Sequence, residues 1–89
     1  HVWDMLVTGS AVVELAGGLT LRRVRIMSDY RIEISGFTPG MTGWLKSIGL
    51  FSEIISWKTR FFIPRSAEGP AILARLMDRH RLVATAGRA

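Results

Sequence analysis

The residues of this chain that are best suited to chemistry are its basic ones. Ten arginines and two lysines stand against seven carboxylates, which leaves a net charge of +5. The whole excess lies in residues 38–89, because the charges of residues 1–37 sum to zero. An arginine guanidinium can pair with two phosphate oxygens at once, so this distribution favours binding of a nucleic-acid backbone. A solvated surface that keeps the protein soluble is the alternative interpretation.

The sequence has few residues of the types and spacings that catalysis requires. The chain has no cysteine and two histidines, one of them at position 1. The other, His80, has only Leu, Met, Val and Ala at the neighbouring helical positions, and none of these is a zinc ligand. The carboxylates are scattered singly, and the Gly17-Gly18 pair precedes a predicted strand rather than opening a helix as a phosphate loop does. We therefore predict that the domain is not an enzyme and holds neither a cofactor nor a metal ion.

The first candidate basic surface follows a predicted strand. Lys58 and Arg60 lie on its solvent face, Phe62 continues that face, and Arg65 comes just after the strand. An aromatic ring between cations on an open sheet face can stack on a base while the cations neutralise phosphates. An ordinary solvated strand face is the alternative.

The second candidate basic surface is on the last predicted helix. Arg75 and Arg79 are one helical turn apart, with Arg81 nearby. Such a stripe is typical of phosphate contact or of adsorption to an anionic membrane, and also of a plain solvated helix. The predicted nucleic-acid-binding residues are Lys58, Arg60, Arg65, Arg75 and Arg79.

Three strands are predicted in the first 35 residues. Residues 3–15 alternate between apolar and polar, and the glycines at 17–18 indicate a hairpin turn. A second strand over 19–27 changes its inward side at residues 22–23, which predicts a bulge. Residues 30–34 alternate cleanly as a third strand. This part of the chain is thus predicted to form an antiparallel meander.

A helix, a strand and a second helix are predicted to follow. Thr38 before a proline is typical of a helix start, and Gly49 is typical of a helix end. Residues 53–63 alternate as a fourth strand that places Trp57 on the core face. The last helix runs from about 68 to 83. Its predicted buried stripe comprises Ile72, Leu73, Leu76, Met77 and His80.

The element order β-β-β-α-β-α predicts an α+β fold. We expect a four-stranded, mainly antiparallel sheet with two helices packed on one face. Residues 1–89 form a single small domain in this prediction, with 84–89 as a frayed tail. The start without Met suggests a piece of a longer protein. With neither a long apolar run nor a signal peptide in the sequence, we predict no membrane contact and a cytoplasmic location.

Part of the sequence resembles a known family. The run GWLKSIGLFSEIISWKTRFFIP at 43–64 and the run GPAILARL at 69–76 are similar to the C-terminal region of strawberry-notch-type helicase-methylase proteins of bacteria, phages and plasmids. The resemblance covers about residues 36–83. Such proteins join a helicase core to a methyltransferase-like region and act on DNA. This chain contains no Walker A, DExx or (N/D)PPY motif, so no functional residue of the family is carried over.

The resemblance implies a context for the basic surface. We expect a non-catalytic accessory domain of a larger DNA-processing protein, with DNA phosphates and the other domains of the same polypeptide as partners. The alternative is a protein-interaction or oligomerisation module, including a homodimer, in which Trp3, Phe51 and Phe62 are exposed. Salt dependence separates the two, because phosphate binding weakens steeply with salt and apolar association does not.

Overall fold

A computed structural model describes residues 1–88 of the chain. The α+β class is confirmed, but the sheet has six strands rather than four, and three helices rather than two pack on it. A short 3-10 turn, Pro39–Met41, leads into the second helix. The elements are α1 (Val2–Thr8), β1 (Ala11–Leu15), β2 (Leu19–Ile26), β3 (Asp29–Ser35), α2 (Thr42–Ser47), β4 (Phe51–Ile55), β5 (Lys58–Ile63), α3 (Gly69–Arg79) and β6 (Leu82–Gly87).

The strands form one antiparallel sheet in the order β4-β5-β3-β2-β1-β6. One face of the sheet packs against all three helices, which contribute Leu6, Leu45 and Leu76 to a single core. We call this the helix-covered face. The opposite face carries no helix among residues 1–88, and we call it the open face. The strand residues of the core are Val13, Leu15, Leu19, Leu21, Ile32, Ile34, Phe61 and Ile63.

The beginning of the chain is helical, so the predicted strand over residues 3–15 is wrong in its first half. Residues 2–8 form α1, and Gly9 ends it in the left-handed conformation with φ 74°. Leu6, which strand alternation places toward solvent, is fully buried. Helical spacing explains this, because Val2, Trp3 and Leu6 then share one side, and all three pack on the core.

The predicted hairpin turn after β1 is confirmed, but the predicted bulge in β2 is wrong. Leu15 pairs with Leu19 around the glycines, and the β2–β3 register runs unbroken from Thr20 to Ile26. Arg23 therefore stays on the helix-covered side, where its guanidinium lies 4.3 Å from the centre of the Tyr30 ring. The apolar residues after it in β2 lie on the open face, which explains the apparent change of phase.

The predicted fourth strand is in fact a hairpin of two strands. β4 and β5 pair from Phe51 to Ile55, and the chain reverses at Ser56 and Trp57, whose φ angles are 51° and 67°. Two consecutive residues with positive φ are characteristic of the type I′ turn. Trp57 is consequently 97% exposed, and the prediction that it faces the core is wrong. The helix predicted before this hairpin is present, but its first turn, Pro39–Met41, is a 3-10 turn. α2 ends at Ser47, and Gly49 follows with a positive φ of 115°.

The last helix is shorter than predicted, and a strand replaces most of the predicted tail. α3 ends at Arg79, and His80 is extended with φ −122°. Residues 84–87 belong to β6, which pairs with β1 from Ala11 opposite Gly87 to Leu15 opposite Leu82. The end of the predicted tail, Ala89, lies outside the described residues. No helix of residues 1–88 has the length and apolar character that a membrane span requires.

Candidate nucleic-acid interface

The five predicted nucleic-acid-binding residues do not share one surface. Lys58 and Arg60 lie on the open face, because they alternate with the core residue Phe61 along β5. Arg65 follows the end of β5. Arg75 and Arg79 are on α3, which packs on the other side of the sheet. The structure therefore separates the set into an open-face group and an α3 group.

Arg60 is held by a carboxylate on the neighbouring strand. Its Nε donates to Oε2 of Glu33 at 2.6 Å, and its Nη2 donates to Oε1 at 2.5 Å. This hydrogen bonding is the main reason that the pKa of Arg60 is raised. Burial opposes it, and the attraction to the Glu33 charge is the smallest effect and raises the pKa further. Two of the five N–H donors of Arg60 and the charge of its guanidinium are thus engaged by one carboxylate, which weakens its attraction for a phosphate.

Other cations at this face are paired in the same way. Arg65 donates from Nη2 to Oδ1 of Asp29 at 2.9 Å, and Arg31 forms an ion pair with Glu53 of β4. The strands place four cations on the open face against four carboxylates, so the charges of the strand residues there cancel. These residues are Arg22, Arg31, Lys58 and Arg60 with Glu14, Asp29, Glu33 and Glu53.

The aromatic ring expected between the open-face cations is not accessible. Phe62 is fully buried although it lies on the open face. The ring of Phe51 lies 5.5 Å from it, and the guanidinium of Arg31 lies 5.0 Å from its centre. Phe62 therefore cannot stack on a base. Of the other two aromatic residues expected at the surface, Phe51 is 37% exposed and Trp3 packs partly buried against the core.

The arginines of α3 have a different environment. The buried stripe of this helix, which includes Ile72 and Leu76, turns Arg75 and Arg79 outward, and both are exposed. Nη1 of Arg75 donates to the backbone oxygen of Ile48 at 3.4 Å. No carboxylate of residues 1–88 forms an ion pair with either side chain. We call Arg75 and Arg79 the α3 arginine pair.

An aromatic residue lies beside this pair, on a different helix. Trp44 of α2 packs half-buried against the core, and the guanidinium of Arg79 lies over its ring at 4.4 Å from the centre. A shallow groove of about 330 Å³ is lined by Trp44, Ile48, Arg75, Asp78 and Arg79. The sequence places Trp44 in the apolar stripe of α2 and gives no signal that it meets α3, because that contact depends on how the two helices lie on the sheet.

A histidine lies close to this groove. His80, next to Trp44, has its Nδ1 3.0 Å from the backbone oxygen of Ala16. Within residues 1–88 no three side chains of types that bind metals come together. The α3 arginine pair offers hydrogen-bond donors and charge to an anion, and the guanidinium of Arg79 offers a flat surface.

No protein-family model, curated protein or solved structure matches the chain, and the similarity to helicase-methylase proteins stays a prediction from the sequence.

Proposed function

We propose that this domain binds the phosphate backbone of DNA through the α3 arginine pair, as a non-catalytic accessory domain of a larger DNA-processing protein. One observation carries the proposal. Arg75 and Arg79 are exposed and lack a carboxylate partner within residues 1–88, whereas Arg60 and Arg65 are engaged by Glu33 and Asp29. The resemblance of residues 36–83 to helicase-methylase proteins supports DNA as the polyanion.

The spacing and the surroundings of the pair suit this role. Residues four apart in a helix are about 6 Å apart along its axis and lie on the same side, so both guanidinium groups can reach one backbone. Arg81, exposed two residues beyond Arg79, adds a third positive charge. Asp78 is the one carboxylate that lines the groove. Because phosphate contacts carry no sequence information, binding is expected to be indifferent to base order.

Fluorescence anisotropy of a labelled duplex DNA at several salt concentrations tests the proposal. Contact with about three phosphates predicts a slope of about −2.7 for log K against log salt, and a Kd of about 1–100 µM at physiological salt. Replacing both Arg75 and Arg79 with Glu reverses two charges at the surface. This variant is expected to lose most of the affinity and about two thirds of the slope.

A matched control has the same change of charge on the other side of the sheet. Arg22 and Lys58 are exposed on the open face and form no ion pair with residues 1–88. The double variant Arg22→Glu, Lys58→Glu is expected to bind nearly as the wild type does. An equal loss of affinity in the two variants would mean that only net charge matters, and a larger loss in the control would move the interface to the open face.

A second function is favoured by the β4–β5 hairpin. β4 is an edge strand of the sheet in residues 1–88, Ile54 on it is 75% exposed, and Trp57 at the turn is almost completely exposed. Edge strands carry free backbone groups that pair readily with another strand, and β4 has neither a Lys nor a Pro to prevent this. The corresponding proposal is an oligomerisation module in which β4 pairs with β4 of a second copy.

Light scattering over a range of protein concentrations tests this second function. Association is expected to persist at high salt, because apolar contacts and backbone hydrogen bonds are screened little. The variant Ile54→Lys is expected to be monomeric, since a charged residue on the edge opposes strand pairing. A wild-type protein that stays monomeric up to about 1 mM would exclude a self-association of any useful strength.

A further inference from the structure

The Trp44–Arg79 contact gives one guanidinium of the α3 arginine pair an environment that the other lacks. Arg79 lies over the ring of Trp44, whereas no aromatic ring of residues 1–88 lies under Arg75. Trp44 is itself held in place by the core and by His80, whose ring centre is 5.6 Å away. One face of the Arg79 guanidinium is therefore supported by the protein. The side chain of Arg79 is exposed, so a ligand can approach the guanidinium from the solvent.

The groove beside this contact has room for one small planar group. Its volume of about 330 Å³ is at the lower end of the range of small-molecule sites. Apolar surface from Ile48 and Trp44 lies beside the charges of Arg75 and Asp78. A nucleotide combines the same features, because its base is planar and largely apolar on its faces while its phosphate is anionic. A base pair within a duplex is stacked on both faces and cannot enter such a groove.

We infer that Arg79, supported by Trp44, is a stacking platform for an unpaired base of single-stranded DNA, and that Arg75 contacts the adjoining phosphate. This inference rests on the proposed function and narrows its ligand from DNA in general to an unpaired strand. Guanidinium planes and aromatic rings both stack on unpaired bases, with little preference for sequence, because every base has a π face.

The test compares two labelled oligomers of the same length and charge by fluorescence anisotropy. One is oligothymidylate, and the other consists of abasic nucleotides that keep the phosphates and lack the bases. Wild-type protein is expected to bind oligothymidylate at least about fivefold more tightly, which is the lower limit for stacking of one base. It is also expected to bind oligothymidylate more tightly than a duplex at the same salt.

Two conservative variants assign the preference to one arginine. Arg79→Lys keeps the charge and removes the flat guanidinium, so it is expected to bind both oligomers with the affinity that the wild type has for the abasic one. Arg75→Lys changes a phosphate contact that both oligomers share. Its two affinities are therefore expected to change together, and the fivefold ratio between them is expected to remain. Both side chains are exposed, so neither variant disturbs the core.

The outcomes separate this inference from the function on which it rests. Equal wild-type affinity for the two oligomers overturns the stacking platform. If duplex binding is then still lost on replacing Arg75 and Arg79 with Glu, the phosphate-binding function stands without the platform. A preference that survives Arg79→Lys also overturns the platform, because the base then stacks elsewhere. Absence of binding to all three DNAs at low salt overturns both proposals.

Discussion

Arg60 and Glu33 join β5 to β3 through two parallel hydrogen bonds, of 2.6 and 2.5 Å. Both side chains are partly buried, with 29% of the arginine and 15% of the glutamate side chain exposed. The raised pKa of Arg60 means that its contribution to stability is fully present below the pKa of an unfolded arginine. It is lost only as the pH rises through the still higher folded pKa, in strong alkali. The guanidinium is therefore charged at every pH of practical use.

Glu33→Gln is expected to lower the free energy of unfolding by about 1–2 kcal/mol, because it leaves the partly buried guanidinium without its charged acceptor. Partial exposure keeps the effect below that of a fully buried pair. Urea denaturation measures the change. The control is Glu14→Gln, on the same face, which removes a carboxylate that forms no ion pair with residues 1–88 and is expected to be nearly neutral. Equal effects of the two variants would contradict a specific role for the pair.

Gly36→Ala is expected to cost about 3 kcal/mol or more of stability. Gly36 has φ 81°, and a Cβ there would collide with the carbonyl oxygen of Gly18. Gly18 also has φ 81°, but a Cβ there would meet nothing within 4 Å. Gly18→Ala therefore carries only the conformational cost of about 1 kcal/mol, and the difference between the variants measures the steric collision. Thermal denaturation of the two side by side gives this difference, and equal melting temperatures would contradict the close approach of the two loops.

Trp57→Gly is expected to raise the free energy of unfolding by about 0.5–1 kcal/mol. Trp57 is the second of the two central residues of the type I′ turn and has φ 67°, and glycine is the preferred residue at this position. Trp57→Ala keeps the positive φ and is expected to change stability by less than about 0.5 kcal/mol, because almost none of the Trp57 side chain is buried. A loss of about 3–5 kcal/mol in either variant would instead agree with the core position that the sequence pattern predicts.

Leu6→Ala is expected to lower the free energy of unfolding by about 2–4 kcal/mol, since Leu6 is fully buried where α1 meets the core. Met5→Ala, at a partly exposed position of the same helix, is expected to cost clearly less. A continuous strand over residues 3–15 would reverse this order, because residue 5 would then face the core and residue 6 the solvent. Chemical denaturation of both variants therefore distinguishes the helix from the strand.

The sequence predicted the secondary structure correctly where turn and cap residues mark the ends of an element clearly. The glycines at 17–18 mark a hairpin, and Thr38-Pro39 and Gly49 enclose a helix, and all of these features are present. The β4–β5 reversal is not marked in this way, because Ser56 and Trp57 are unusual residues for a turn with two positive φ angles. Short segments are ambiguous for another reason, since the residues of α1 fit strand and helix spacing almost equally well.

The candidate site was predictable in its residue types and not in its arrangement. The sequence indicates that Lys58 and Arg60 face away from the core, but not that Glu33 opposes Arg60, because that pairing depends on the strand order. The same applies to Trp44 and Arg79, which come from helices separated in the chain by the whole β4–β5 hairpin. Charge counts along a sequence do not distinguish paired cations from unpaired ones.

The position of β6 beside β1 has a consequence for the order in which the protein folds. This ladder joins residues 11–15 to residues 82–87, so its partners are separated by most of the chain. The five strands before β6 follow one another with short separations and can assemble first, whereas closure of so long a loop is slow. While the chain is being synthesised, β1 remains an uncovered edge until residues 82–87 leave the ribosome. In that interval the nascent chain is most exposed to pairing with the wrong strand, whether its own or a neighbour's.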